Sequence, residues 1–180
     1  MPLPKSGCYT TDYIYSLPDG QRAELIHGVI YDMAAPDRMH QELCFSLSRK
    51  IADYIDSKSG SCKIYPAPFA VFLNADDKTY VEPDISVICD FSKLTDKGCN
   101  GAPDFIIEIV SPGSRKMDYN KKVTLYSEAG VREYWIVDPS RKCTVIYRFE
   151  EDAAPTFFLF DQTISVGIYS DLQINISKLL

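Results

Sequence analysis

The sequence predicts a single α/β domain: a mixed β-sheet flanked by helices. Three observations carry this. Short apolar runs at 63–73, 84–89, 104–110, 133–137 and 144–149 read as strands. Two stretches with helical spacing, 38–58 and 115–129, interrupt them. Strands followed by a helix and then more strands match a core in which a helix crosses a sheet of mixed direction. The 180 residues suffice for one full-sized domain and are short for two. No repeat, low-complexity tract or Pro/Gly linker divides them, so residues 1–180 are expected as one unit. Residues 1–35 form its N-terminal helix and hairpin, and 150–180 its peripheral strands.

In chain order, Thr10-Thr11-Asp12 caps a short helix that stops before Pro18. Residues 23–33 read as two strands around His27-Gly28, a two-residue hairpin turn. The 38–58 helix repeats Leu43, Leu47, Ile51, Tyr54 and Ile55 at the helical period and ends at Gly60. Residues 74–78 are a polar turn, and 93–101 a polar loop. Gly130 marks the end of the 115–129 helix. Asp138-Pro139-Ser140 turns the chain between two strands, and 156–160 begins a strand-bearing tail.

Composition excludes several classes. Hydrophobic residues make up 46% and charged residues 24%, as in ordinary globular proteins. Nineteen basic against 25 acidic residues give a net charge of −6, which argues against coating nucleic acid or anionic membrane by bulk charge. No run approaches a membrane span, and the first seven residues lack the apolar core of a signal peptide. Six scattered cysteines without a C-x-x-C pair fit neither a zinc site nor a disulfide scaffold. They are expected as reduced, mostly buried thiols of a cytoplasmic protein. A P-loop, a G-x-G-x-x-G and a G-x-S-x-G are absent.

Chemistry concentrates in three residues. Glu108 sits inside Phe105-Ile106-Ile107-Glu108-Ile109-Val110, which reads as a buried central strand. A carboxylate there needs a metal ion or a buried cation. Asp84 opens the strand Ile85-Ser86-Val87-Ile88-Cys89. Antiparallel pairing of 84–89 with 104–110 brings Asp84 beside Glu108, a pair of hard oxygen ligands suited to Mg²⁺ or Mn²⁺. As an isolated residue, Asp84 would be an ordinary strand-initiating turn. Asp104 cannot share a metal with Glu108, because four strand residues separate them by about 13 Å. Lys122 falls within the apolar arc of its helix, among Tyr119, Val123, Leu125, Tyr126 and Ala129. It either meets a buried partner, with Glu108 the obvious one, or sends its amine out to water. A buried Lys beside the attacking water would orient or help to deprotonate it.

Other residues are open to two readings. Glu24 either joins the carboxylate cluster or faces solvent from its strand. His40 either touches a phosphate or bound water, or makes a local bond at its helix start. Residues 111–122 carry Arg115, Lys116, Lys121 and Lys122 against one acid, Asp118. This is either a phosphate-facing lip or an ordinary solvated turn.

These residues in this order resemble the PD-(D/E)XK nuclease superfamily, and within it the bacterial Uma-type "putative restriction endonuclease" family common in cyanobacteria. The likeness runs from Tyr9 to Arg148. It rests on Glu82-Pro83-Asp84-Ile85, Gly101-Ala102-Pro103-Asp104-Phe105-Ile106-Ile107-Glu108-Ile109 and Ala129-Gly130-Val131-Arg132-Glu133-Tyr134-Trp135-Ile136-Val137-Asp138-Pro139. The resemblance implies a restriction-endonuclease-like core and Mg²⁺-dependent cleavage of DNA. It implies Asp84, Glu108 and the Ile109 carbonyl as metal ligands, and often a homodimer. Where the superfamily pattern puts Lys two residues after the acid, this chain has Val110. Lys122 matches the position to which the lysine migrates in similar proteins, and Glu24 and His40 match recurrent positions. The alternative is a catalytically degenerate nuclease fold that acts as a binding module.

Overall fold

The computed structural model describes residues 7–74, 76–151 and 153–180. Residues 1–6 of the N-terminus, Ala75 of the polar turn and Asp152 of the tail lie outside the described residues. In chain order the elements are α1 (Thr11–Tyr15), β1 (Ala23–Ile26), β2 (Val29–Asp32), α2 (Arg38–Ser57), β3 (Lys63–Pro66), β4 (Val71–Phe72) and β5 (Ile85–Ile88). Then come β6 (Leu94–Thr95), β7 (Gly98–Asn100), β8 (Phe105–Ile109), α3 (Lys122–Ala129), β9 (Glu133–Asp138), β10 (Cys143–Arg148), β11 (Thr156–Leu159), β12 (Thr163–Ser165) and β13 (Gln173–Asn175).

A six-stranded mixed sheet in the order β11-β10-β9-β8-β5-β3 forms the centre. Its one parallel pair, β8 with β9, is joined through α3, as a parallel crossover requires. Both faces are covered. Leu43, Leu47, Ile51 and Ile55 of α2 pack with Ile85, Val87, Phe105, Ile107 and Trp135 on one face. Leu125 and Tyr126 of α3 pack with Ile88, Ile106, Val110 and Ile136 on the other. This double burial explains why β5, β8 and β9 are apolar runs rather than alternating ones.

Several expectations change. The run 63–73 splits at a cis Ala67–Pro68 peptide: β3 joins the large sheet, and β4 joins β6 and β7 in a three-stranded sheet. The expected polar loop 93–101 supplies those two strands, whose backbone pairing outweighs their polar side chains. Strand β11 edges the main sheet, and Ile164, Ile174 and Ile176 are fully buried against the α2 side of the core. Cys62 and Cys89, expected as thiols, are disulfide-bonded. The antiparallel register pairs Lys63 with Ile88 and so sets the two cysteines opposite each other. The other four cysteines are free, three of them buried.

The helix expected at 115–129 is widened by one π turn, Met117–Lys121, before α3. A π turn shifts side-chain positions relative to the 3.6-residue period and is concentrated at functional sites. Here Met117, Asp118, Lys122, Leu125 and Tyr126 face inward, whereas Tyr119, Val123 and Ala129 are half-buried. Gly130 closes the helix in the left-handed conformation, φ 89°. The β1–β2 turn places His27 and Gly28 at positive φ, as a two-residue hairpin demands.

Candidate active site

Strands β5 and β8 pair with Ile85 opposite Ile107, so Asp84 and Glu108 come side by side just past the end of the ladder. Both belong to the sheet face that carries α3. The Ile109 N–H lies beyond the last strand pair and donates to Asp84 Oδ2 at 2.7 Å. His40 reaches the same oxygen from the opposite side, Nε2 to Oδ2 3.1 Å. It is held there by the start of α2, where the Asp37 cap accepts from the His40 N–H at 2.8 Å. His40 therefore makes a local bond and also enters the cluster. Burial alone would lower its pKa, but the bond to Asp84 and the charges of Asp84, Asp37 and Asp118 raise it.

Lys122 enters from α3. Its Nζ lies 2.7 Å from Glu108 Oε1, 2.9 Å from Glu24 Oε1 and 3.9 Å from Asp118 Oδ1. Glu24, from β1, also accepts from the Glu82 N–H at 3.2 Å. The Tyr126 hydroxyl donates to Glu108 Oε1 at 2.6 Å. Glu24, Glu108 and Lys122 are each 4% exposed, and Asp118 is 1% exposed. Burial alone would depress Lys122, yet Glu108, Glu24 and Asp118 together hold its pKa well above the ordinary value. Glu108 is pushed well up by burial, against the pull of Lys122, and further by Asp84, Asp118 and Glu24. Burial pushes the Asp118 carboxyl up to about 6.

These groups line one cleft of about 360 Å³, walled by Met33, Ala35, Pro36, Pro68, Cys44 and Met117. Five carboxylates, Glu24, Asp32, Asp84, Glu108 and Asp118, line it against two cations, Lys122 and Arg22, and Arg22 is itself paired with Glu82. Among the described residues, Asp84 Oδ1 and Glu108 Oε2 make no hydrogen bond to protein, while their other oxygens are held in place. Each carboxylate thus keeps one oxygen for a ligand. No three His, Cys, Asp or Glu side chains among the described residues are grouped to cage a metal alone. That donor set suits an ion such as Mg²⁺, which takes one or two carboxylates and fills its remaining positions with water and phosphate oxygen. Asp84, Glu108 and the Ile109 carbonyl would hold it.

The basic segment goes elsewhere. Arg115 pairs with Asp138 and Ser140. Lys121 bonds the Tyr31 hydroxyl and stacks over its ring. Lys116 is exposed, and none of the three lines the cleft. Asp118 and Tyr126 were missed in the sequence. Both stand four residues from Lys122, so the spacing that places Lys122 inward also places them beside it.

A family model described as Uma2, "Putative restriction endonuclease", matches residues 11–177. The chain belongs to the Uma2 family. Two curated cyanobacterial relatives, both from Synechocystis, are uncharacterized. Sll1609 is 27% identical over 121 residues, covering 66% of this chain and 67% of its own. Slr1290 is 23% identical over 133 residues, covering 73% and 68%. The crystal structure of a putative nuclease belonging to DUF820 from Anabaena variabilis superposes with a TM-score of 0.76, at 22% identity, covering 94% of this Uma2 chain and 96% of that one. That likeness shows the fold. Among the described residues no helix is long and apolar enough to cross a membrane.

Proposed function

We propose that this Uma2 protein is a Mg²⁺- or Mn²⁺-dependent endonuclease that hydrolyses DNA phosphodiesters. The observation that carries the reading is the excess of carboxylates over the cations Lys122 and Arg22 around the cleft, with one open oxygen on each of Asp84 and Glu108. A bound divalent ion supplies the charge that balances these carboxylates and stabilises negative charge on the phosphoryl group. The chain's own residues arrange the rest. The Ile109 N–H and His40 fix the Asp84 carboxylate. Lys122 and Tyr126 fix Glu108. Lys122 presents a positive charge at the cleft wall and keeps its proton there, because the three carboxylates around it favour the cation.

Calorimetry with Mg²⁺ and Mn²⁺, followed by assays on duplex DNA, single strands, RNA and nucleotides, tests the reading. Metal binding and metal-dependent DNA cleavage are expected, both lost in Asp84→Ala and Glu108→Ala. Wild-type cleavage by both variants overturns the site. The Lys122–Glu108 ion pair is also what a catalytically degenerate binding module would retain. Absence of metal binding by the wild-type protein favours that second reading. The net charge of −6 and the turning of Arg115 and Lys121 away from the cleft leave little positive surface for DNA on one subunit. A homodimer would supply more, and sedimentation with and without DNA tests it.

A further inference from the structure

Hydrolysis requires a group that takes a proton from the attacking water, and Lys122 is poorly suited to it. Its Nζ already donates to two carboxylates, and a cation among three carboxylates does not give up its charge readily. The remaining acids divide into two kinds. Asp84, Glu108 and Glu24 each have an oxygen committed to protein donors. Asp118 has none: the residue lines the cleft, both its oxygens are buried and make no hydrogen bond, and Lys122 at 3.9 Å is beyond hydrogen-bond reach. The neighbouring Ser114 hydroxyl bonds Ser111, yet lies close enough to Asp118 to favour its charged form.

The backbone at this position, by contrast, is firmly held. The Asp118 N–H donates to the Ser114 carbonyl at 3.0 Å, and the Tyr134 hydroxyl donates to the Asp118 carbonyl at 3.1 Å. The π turn sets the residue inward. A fixed backbone with a buried, unbonded carboxylate is costly to the fold and calls for a partner such as water.

We infer that Asp118 is the catalytic base of this site: its carboxylate holds the attacking water and accepts its proton. The inference rests on the hydrolase reading above. An O–H bond of the water breaks and its proton passes to an Asp118 oxygen. The water oxygen forms a bond to phosphorus. The bond from phosphorus to the leaving sugar oxygen breaks, and that oxygen leaves with the electron pair and takes a proton from solvent. Facing Asp118 are Lys122 of α3, Glu24 of β1, Glu108 of β8, Tyr134 of β9, His40 of α2 and Asp84. Among them Lys122 opposes protonation of Asp118, while Glu24 and Asp84 favour it. The elevated carboxyl pKa agrees with a proton-accepting role.

Single-turnover cleavage from about pH 5 to about pH 9, with Mg²⁺ calorimetry on the same samples, tests this for wild type, Asp118→Asn and Asp84→Asn. Asp118→Asn is expected to cleave at least about 100-fold more slowly, to lose the acid limb of the pH–rate profile and to bind Mg²⁺ as wild type does. Asp84→Asn is expected to lose Mg²⁺ binding. Asp118→Asn cleaving at the wild-type rate with an unchanged profile overturns the inference. So does its losing Mg²⁺ affinity as Asp84→Asn does, which would make Asp118 a ligand. If the wild-type protein binds metal but cleaves no phosphodiester, the hydrolase reading fails first and takes this inference with it.

Discussion

The Nζ of Lys122 lies 2.7 Å from Oε1 of Glu108, fourteen residues earlier in the chain and across the crossover that joins β8 to α3. This contact ties the helix to the central strand. It also binds the chemistry of the site to the stability of the fold, because both partners are buried.

Replacing that lysine leaves Glu108 and Glu24 without their cation. Removing one partner of a buried pair costs about 3–5 kcal/mol. Lys122→Met is expected to lose stability of that order near about pH 7 and less near about pH 5, because burial already pushes the Glu108 carboxyl well up and falling pH favours its neutral form. Urea unfolding at the two pH values measures the difference; an equal loss at both would argue against uncompensated carboxylates as the cause.

Asp118 affects stability in the opposite sense. Its carboxyl titrates near about 6 in the fold against an ordinary value of 3.8. The folded state therefore prefers the protonated form, and that stabilisation is present below 3.8 and lost as pH rises through about 6. Asp118→Asn removes the penalty of the charged form. The metal-free variant is expected to match wild type in acid and to exceed it by about 3 kcal/mol above about pH 7. Unfolding free energies across this pH range check the trend, which should be absent if the carboxylate is already satisfied.

A divalent cation is expected to stabilise the protein. Ligand at about 100 times its Kd adds about 2.7 kcal/mol to the folded state. Titration with Mg²⁺ should raise Tm for wild type and for Asp118→Asn, and should have no effect on an Asp84→Asn/Glu108→Gln double variant. A rise that persists in the double variant would locate the binding elsewhere.

The Cys62–Cys89 bond closes a segment of 27 residues that includes the rim at Ala67 and Pro68. Loop-closure entropy for that length is worth about 3.5 kcal/mol. Unreduced, denatured protein should present four thiols to a colorimetric reagent, and reduction should lower Tm. Six reactive thiols before reduction would show the pair to be open.

Much of this was legible in the chain. The long helix is marked by a clean apolar repeat, and the structure has it at Arg38–Ser57, where Asp37 proves to be its cap. The Asp84–Glu108 juxtaposition followed from strand parity alone, since antiparallel pairing of two short strands fixes which ends meet. The apolar arc around Lys122 left open whether its amine is buried or turned to water, and the fold buries it. The strands β6 and β7 were hidden because backbone pairing leaves no hydrophobic period in so polar a segment.

Local pattern thus indicated the long helix, the central strands and, given antiparallel pairing, which carboxylates stand side by side, because periodicity and strand register are short-range properties. Only the tertiary structure decided how those residues are shared out. It set Glu24 on Lys122, turned Arg115 to Asp138 and Lys121 to Tyr31, joined Cys62 to Cys89 and left Asp118 without a partner. Each of these depends on contacts across different elements. A side chain's partner is fixed by packing in three dimensions, and sequence spacing constrains only the neighbours on its own element.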